Sequence, residues 1–383
     1  MLAIKSDKIM TITQGTISGV VLVEDGKIVA VGSNVAIPAG AEVIDATGKY
    51  VHPGFIDAHC HVGMWEEGIG FEGADGNEMT HPVTPQLRAI DAINPMDQGF
   101  MDALEGGITT IVTGPGSANV VGGTSVAIKT HGRAVDKMVV NPDTGLKCAF
   151  GENPKRVYAD RKMMPSTRMG TAYLLREALV NAQNYMNDVE AAKKDGKPYK
   201  RDLKMEPLVR VLKGELALRA HAHRADDILT AIRIAKEFNV RVTIEHCTEG
   251  HLIVDELKEA GVSVVCGPSL SNRSKVELRD LSFKTAGILA NAGVNVSIMT
   301  DAPVIPIGYL PIAAGLCVKH GMKEEDALKG ITINAAQISG IADRVGSLEV
   351  GKDADIVIKS KHPFDLMAVT EKVYINGKLV FGA

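Results

Sequence analysis

Eight short apolar runs with β character recur through the middle of this chain, at 54–59, 108–113, 125–129, 146–151, 216–221, 241–246, 262–266 and 294–300. The later ones are separated by stretches of helical periodicity, Ala225–Phe238, Glu249–Ala260 and Lys275–Asn291, each closing near Gly or Asn. Strands that alternate with helices form parallel sheets, because a parallel neighbour is reached only through a long crossover. Eight of them within residues 53–342 predict an α/β fold, a (β/α)8 TIM-like barrel. A further stretch, Arg168–Lys200, reads as a long helix closing in a solvated run of mixed charge, Glu190-Ala191-Ala192-Lys193-Lys194-Asp195-Gly196-Lys197.

The two ends break this rhythm. Residues 1–52 are strand-rich and carry a hairpin signal, two β runs around Asp25-Gly26. Residues 343–383 hold the runs Ala354–Ile358 and Val373–Phe381, the second turning at Asn376-Gly377. Neither end can bury a core alone. One composite β-sandwich domain, drawn from 1–52 and 343–383 and flanking a barrel of 53–342, is the economical arrangement.

Composition narrows the function. Hydrophobic residues make up 45% and charged residues 23%, as in soluble globular proteins. A net charge of −4 offers no electrostatic footing for nucleic acid or an anionic membrane, so the expected partner is a small-molecule substrate, with a homo-oligomer allowed. No apolar run reaches spanning length, and Met1–Ser6 lacks the basic start of a signal peptide, so the expected compartment is the cytoplasm. The five cysteines, 60, 148, 247, 266 and 317, are scattered in apolar contexts and read as reduced core residues.

The chemistry sits at strand ends. Pro53-Gly54-Phe55-Ile56-Asp57-Ala58-His59-Cys60-His61 places two histidines at i, i+2, on one face of a strand, where both can reach one ion; Cys60 between them points the other way. His221 ends the fifth run, His246 the sixth and Asp301 the eighth. Barrel active sites lie at that end of the strands, so these residues can converge. His223 shares the face of His221 and is a substrate-binding candidate. Arg168 and Arg273 are candidates to bind a substrate carboxylate, the alternative being ordinary surface salt bridges. The Gly-rich stretch 115–123 matches neither nucleotide fingerprint.

On these residues the chain resembles the amidohydrolase superfamily of metal-dependent hydrolases, and most of all its imidazolonepropionase- and prolidase-like branch. The tail Gly346-Ser347-Leu348-Glu349-Val350-Gly351-Lys352-Asp353-Ala354-Asp355-Ile356-Val357 is a second signature, and Ala220-His221-Ala222 followed by Ile244-Glu245-His246 points to that branch. The resemblance implies metal ligands at His59, His61, His221, His246 and Asp301. It also implies, in two-metal members, a bridging carboxylate. Alternation turns Lys147 toward the barrel axis, where carboxylation would justify its burial; Glu152, in the next loop, is the alternative bridge. Zinc suits this His/Asp set best, as one or two ions, with manganese, iron or nickel also compatible.

The activity implied is hydrolysis of a C–N bond in an amide, cyclic amide, or N-acyl or dipeptide compound. Metal-activated water would attack, Asp301 would serve as general base and then acid, and His246, where it is not a ligand, would stabilise the oxyanion. The competing enzyme reading is a heterocycle deaminase. The deaminase branches carry a Glu after the strand-five His, and here the segment is His221-Ala222-His223. A third, non-catalytic binding or assembly role would follow loss of ligands, and all five positions are filled.

Overall fold

A computed structural model describes residues 1–382. Its sixteen strands, in chain order, are β1 (Leu2–Met10), β2 (Thr16–Glu24), β3 (Lys27–Gly32), β4 (Glu42–Asp45), β5 (Tyr50–Pro53), β6 (Phe55–Cys60), β7 (Ile108–Thr113), β8 (Val121–Lys129), β9 (Val139–Ala149), β10 (Leu218–Ala222), β11 (Val242–His246), β12 (Ser263–Cys266), β13 (Val296–Ile298), β14 (Ile356–Lys359), β15 (Thr370–Ile375) and β16 (Lys378–Phe381). The helices are α1 (Gly99–Gly106), α2 (Glu152–Asp160), α3 (Arg168–Lys194), α4 (Glu206–Leu212), α5 (Ala225–Phe238), α6 (Val254–Ala260), α7 (Lys284–Asn291), α8 (Leu310–Lys319), α9 (Glu324–Gly330) and α10 (Ile333–Ile338).

Strands β6 to β13 pair in chain order into one eight-stranded sheet that nearly closes on itself. Its seam is bridged near the site. Asp301 N–H donates to His59 O at 3.2 Å and His61 N–H to Ala302 O at 2.8 Å. Thr300 donates through both N–H and Oγ1 to the Asp57 carboxylate, at 3.1 and 2.6 Å. Inside the sheet, branched and aromatic side chains such as Phe55, Ile108, Leu146 and Ile244 are fully buried, as a sheet covered on both faces requires.

All eight β runs read from the sequence are present, with one departure from an all-parallel barrel. β8 runs antiparallel to both β7 and β9. Alternating hydrophobicity reports burial, not strand direction. The deciding feature is the connection: residues 114–120 between β7 and β8 are too few for a crossover helix, so the chain turns straight back. Two helices are also shorter than their periodicity suggests. The 275–291 stretch splits into a 3-10 turn, Val276–Leu278, and α7; the 249–260 stretch splits into a 3-10 turn, Gly250–Leu252, and α6. α3 stops at Lys194 because Gly196 takes a left-handed φ of 66° and turns the chain out of the helix.

The termini form a second sheet, ordered β16-β15-β14-β5-β1-β2-β3, with β4 also pairing β1. β5 is the splice, parallel to β1 and antiparallel to β14. Both hairpins turn where the sequence places them. Asp25 and Gly26 have φ of 49° and 79°, Asn376 and Gly377 of 50° and 71°, the paired left-handed conformation of a tight two-residue turn. This sheet has its own core, including Ile4, Ile9, Val21, Val51, Ile356 and Ile358.

Candidate active site

The end of β6 sets the floor of the site. His59 and His61 project from one side, their ring centroids 5.2 Å apart. His61 Nδ1 sits 2.7 Å from Gly114 O, so that nitrogen carries the proton and Nε2 is left to face Asp301 Oδ1 at 3.2 Å. His59 Nε2 is also 3.2 Å from Asp301 Oδ1, and its Nδ1 lies 2.6 Å from Glu245 Oε2. Burial opposes charge on His59, but the Glu245 carboxylate outweighs it and raises the pKa. Cys60 joins the core behind, where burial pushes its thiol well up.

Three more imidazoles converge from β10 and β11. His246 stands 4.2 Å from His221 and 4.5 Å from His223, centroid to centroid. All three are buried. Burial holds His221 down at about 4, and burial together with neighbouring imidazoles holds His223 and His246 well below the ordinary histidine value. They are therefore neutral at pH 7, the form that binds metal. His246 Nδ1 donates to Gly267 O at 3.0 Å, and His223 Nδ1 pairs with Thr248 Oγ1 at 2.8 Å. Backbone geometry helps to aim this cluster. Glu245 pairs in register with His221 and faces the axis with it, so a continued strand would turn His246 outward. Instead His246 has φ 73° and Asp301 φ 56°, left-handed conformations that cost energy in residues other than glycine and collect at functional sites.

Two groups of donors result, His221/His223/His246 and His59/His246/Asp301, each with its donor atoms within 4.8 Å of one another. His246 belongs to both. The residues fit a divalent cation. They are imidazoles, three of them held neutral, with one carboxylate, and among the described residues His221 Nδ1 and His223 Nε2 are buried with no hydrogen-bond partner. Burial opposes ionisation of Asp301, but His246, His59 and His61 draw its pKa well below the usual carboxylate range.

Lys147 is where alternation places it, buried on the axial side of β9. Its Nζ is 3.0 Å from Glu245 Oε2 and 3.4 Å from His59 Nε2. Glu245 thus gives Lys147 a reason to be buried without carboxylation. Glu152 is not brought to the cluster: it opens α2, donates its backbone N–H to Glu277 Oε2 at 3.0 Å, and its side chain is absent from the cleft wall. Arg168 and Arg273 are also elsewhere. Arg168 pairs with Asp227 at 3.0 Å, and Arg273 donates to the carbonyls of Arg279 and Leu281, so both are spent on structure. His223 does face the site.

Other residues complete it. Arg219, fully buried, donates to Glu245 Oε1 at 2.6 Å, so one carboxylate ties together Arg219, Lys147 and His59. Burial opposes charge on Glu245, and Arg219, His59 and Lys147 together pull its pKa well down. Charged residues at inward positions of apolar strands were the available signal for Glu245 and Arg219. Glu277 lies on a turn with no such periodicity. Its Oε1 is 3.8 Å from His221 Nε2, 3.6 Å from His223 Nε2 and 2.6 Å from Lys275 Nζ. Above the cluster opens a cleft of about 900 Å³, walled partly by Trp65, Asn153, Arg156 and Lys275.

An amidohydrolase family model matches residues 50–380. A solved amidohydrolase from Thermotoga maritima MSB8 is 48% identical, covers the whole of both chains and superposes with a TM-score of 0.98. Amidohydrolase tasK of Hapsidospora irregularis is 29% identical over 95% of this chain, which spans only 40% of that protein's length. An imidazolonepropionase of Thermoplasma volcanium is 25% identical over 94% of this chain and 90% of its own.

Proposed function

This chain belongs to the amidohydrolase family, a family of hydrolases acting on C–N bonds, and from that premise we propose a metal-dependent hydrolase of a small amide, cyclic amide, or N-acyl or dipeptide compound. The observation that carries the proposal is the pair of donor groups sharing His246 at the floor of the cleft. His59, His61, His221, His246 and Asp301 would hold the cation, zinc by donor type, which when bound supplies Lewis acidity and an acidified water. Asp301, anionic and at the centre, takes the proton of the attacking water and returns it to the leaving nitrogen. Glu245 holds His59 by its Nδ1, which fixes the tautomer that leaves Nε2 facing inward. For a two-ion site, Lys147, 3.4 Å from His59 Nε2, is the candidate for carboxylation to a bridge.

The same reading takes residues 1–52 and 343–383 as a composite β-sandwich and 53–342 as the hydrolase unit. It assigns a small-molecule substrate, no nucleic-acid or membrane partner, a cytoplasmic place and freedom to self-associate, all resting on composition. No helix among the described residues is long and apolar enough to cross a membrane.

A second reading, heterocycle deamination, gains one observation: Glu277 brings a carboxylate from a distant loop beside His221 and His223. The test is metal content together with turnover. Wild type purified without added metal should carry zinc or a similar ion and release amine or carboxylate from a panel of N-acyl amino acids, dipeptides, hydantoins and imidazolones. His246→Ala should stay folded, lose most of the metal and fall at least a hundredfold in activity. Ammonia release from heterocycles alone would select deamination, and a metal-free, fully active His246→Ala protein would end both readings.

A further inference from the structure

The cleft wall has a marked charge imbalance. Among the described residues its one acidic lining residue is Asp301, at the floor, while Lys147, Arg156 and Lys275 line it as cations. Two of these are already neutralised, Lys147 by Glu245 at 3.0 Å and Lys275 by Glu277 at 2.6 Å. Arg156 is different. It is exposed, and among the described residues it makes no ion pair.

Its position follows from the helix that carries it. Asn153, Arg156 and Val157 stand at i, i+3 and i+4 on α2, so they share one face, and that face lines the cleft. Asn153 marks the inner end of the stripe: its Nδ2 donates to Ser117 Oγ at 2.8 Å and lies 3.5 Å from His221 Nε2. Arg156 is three residues farther along, about 4.5 Å up the helix axis. The helix is anchored from behind by buried Tyr158, whose hydroxyl donates to Asn119 Oδ1 at 2.6 Å. Other parts of the wall, at Leu270, Leu278, Val304 and Ile305, are apolar.

The geometry points to Arg156 as the residue that selects the substrate, which carries a carboxylate a few bonds from the scissile amide and an apolar side chain beside it. The assignment of a scissile amide rests on the function proposed above; the carboxylate subsite does not. A guanidinium without a protein partner, at the mouth of a cleft whose other cations are satisfied, is a site for a planar anion that accepts two hydrogen bonds. N-acyl or N-aminoacyl derivatives of an apolar amino acid have this shape and charge.

Trp65 makes the test independent of turnover. It is the only tryptophan in the chain, lines the cleft and packs edge-on to His61 with centroids 4.4 Å apart. Its emission can therefore be titrated with matched pairs, N-acetyl-L-leucine against N-acetyl-L-leucinamide and glycyl-L-leucine against glycyl-L-leucinamide, using the metal-loaded protein. The acid of at least one pair should bind wild type at least tenfold more tightly than its amide. Arg156→Met should remove that preference and weaken the acid ten- to a hundredfold, leaving the amide within twofold. Arg156→Lys should restore part of it, and Lys155→Met, on the opposite side of α2 and outside the cleft wall, should change nothing. Where the acid is turned over, Arg156→Met should raise KM and leave kcat within about threefold. Equal binding of acid and amide, no binding of either, or equal losses for both in Arg156→Met overturns the assignment. A retained acid preference without turnover of any pair leaves the subsite standing and counts against amide hydrolysis alone.

Discussion

At the scale of single residues, the site depends on one carboxylate that lies behind the cleft wall. Glu245 is fully buried and meets Arg219, Lys147 and His59 at 2.6, 3.0 and 2.6 Å. Removing a partner from a buried ion cluster leaves uncompensated charge behind, typically at a cost of about 3–5 kcal/mol. Glu245→Gln should therefore lower unfolding stability at pH 7 by roughly that amount, measured by urea denaturation, and should weaken metal retention because His59 loses the group that fixes its tautomer. Unchanged stability with unchanged metal content would show that Arg219 and Lys147 do not need it. Five residues of the cluster were legible because each lies at the end of a recognisable strand, and His59 and His61 add strand parity. His246 was legible only by position: its side chain enters the cluster through a left-handed backbone that alternation does not foresee. Arg156 and Glu277 depend on which side of α2 and which turn of a loop face the cleft, and Arg168 and Arg273 show that a free-looking arginine in a sequence says nothing of the carboxylate or carbonyl waiting for it.

At the scale of elements, the tail signature that points to the family is a joint. Asp353 and Asp355 precede β14, and both are buried. Lys129, at the end of β8 in the barrel sheet, reaches Asp353 at 3.0 Å and Asp355 at 2.5 Å, while Lys27 and Arg344 also meet Asp353, at 2.7 and 2.9 Å. The short Gly351-Lys352-Asp353-Ala354-Asp355 stretch thus fastens the terminal sheet to the barrel. Burial opposes ionisation of Asp353, but Lys129 and its other cations outweigh it and draw the pKa down. Asp353→Asn should cost about 2–4 kcal/mol at pH 7 by removing one anion from among three cations. The cost should shrink as the pH falls below the ordinary aspartate range, because the unfolded chain then takes up the proton while the folded carboxyl resists it down to its lowered pKa, and the wild type loses its advantage progressively. A thermal-denaturation series from pH 7 down to pH 3 checks it; a loss that stays constant would mean packing, not charge. The antiparallel β8 belongs to this scale too. Its existence was legible from its apolar run, while its direction was set by a loop too short to cross over.

At the scale of the whole molecule, the contact between the terminal sheet and the barrel carries a lysine in an unfavourable place. Lys359, at the end of β14, is 4% exposed; its Nζ donates to Thr370 Oγ1 at 2.8 Å, and its stem passes against Gly107, just after α1. Burial pulls its pKa from 10.5 down to about 8. Below pH 8 the ammonium is protonated in both folded and unfolded chains, and folding bears the full cost of burying it. Between pH 8 and 10.5 the folded protein sheds the proton while the unfolded chain keeps it, so this group's contribution to stability rises with pH, by up to about 3 kcal/mol. Lys359→Met keeps the stem and removes the charge. It should raise unfolding stability by about 1–3 kcal/mol at pH 7, and the advantage over wild type should fade toward zero by pH 10.5. Comparing the two proteins at each pH cancels the titration of all other groups. A difference that does not vary between pH 7 and 10.5 would mean that water reaches Nζ and that the barrel and the terminal sheet are less tightly joined at this point than their packing suggests.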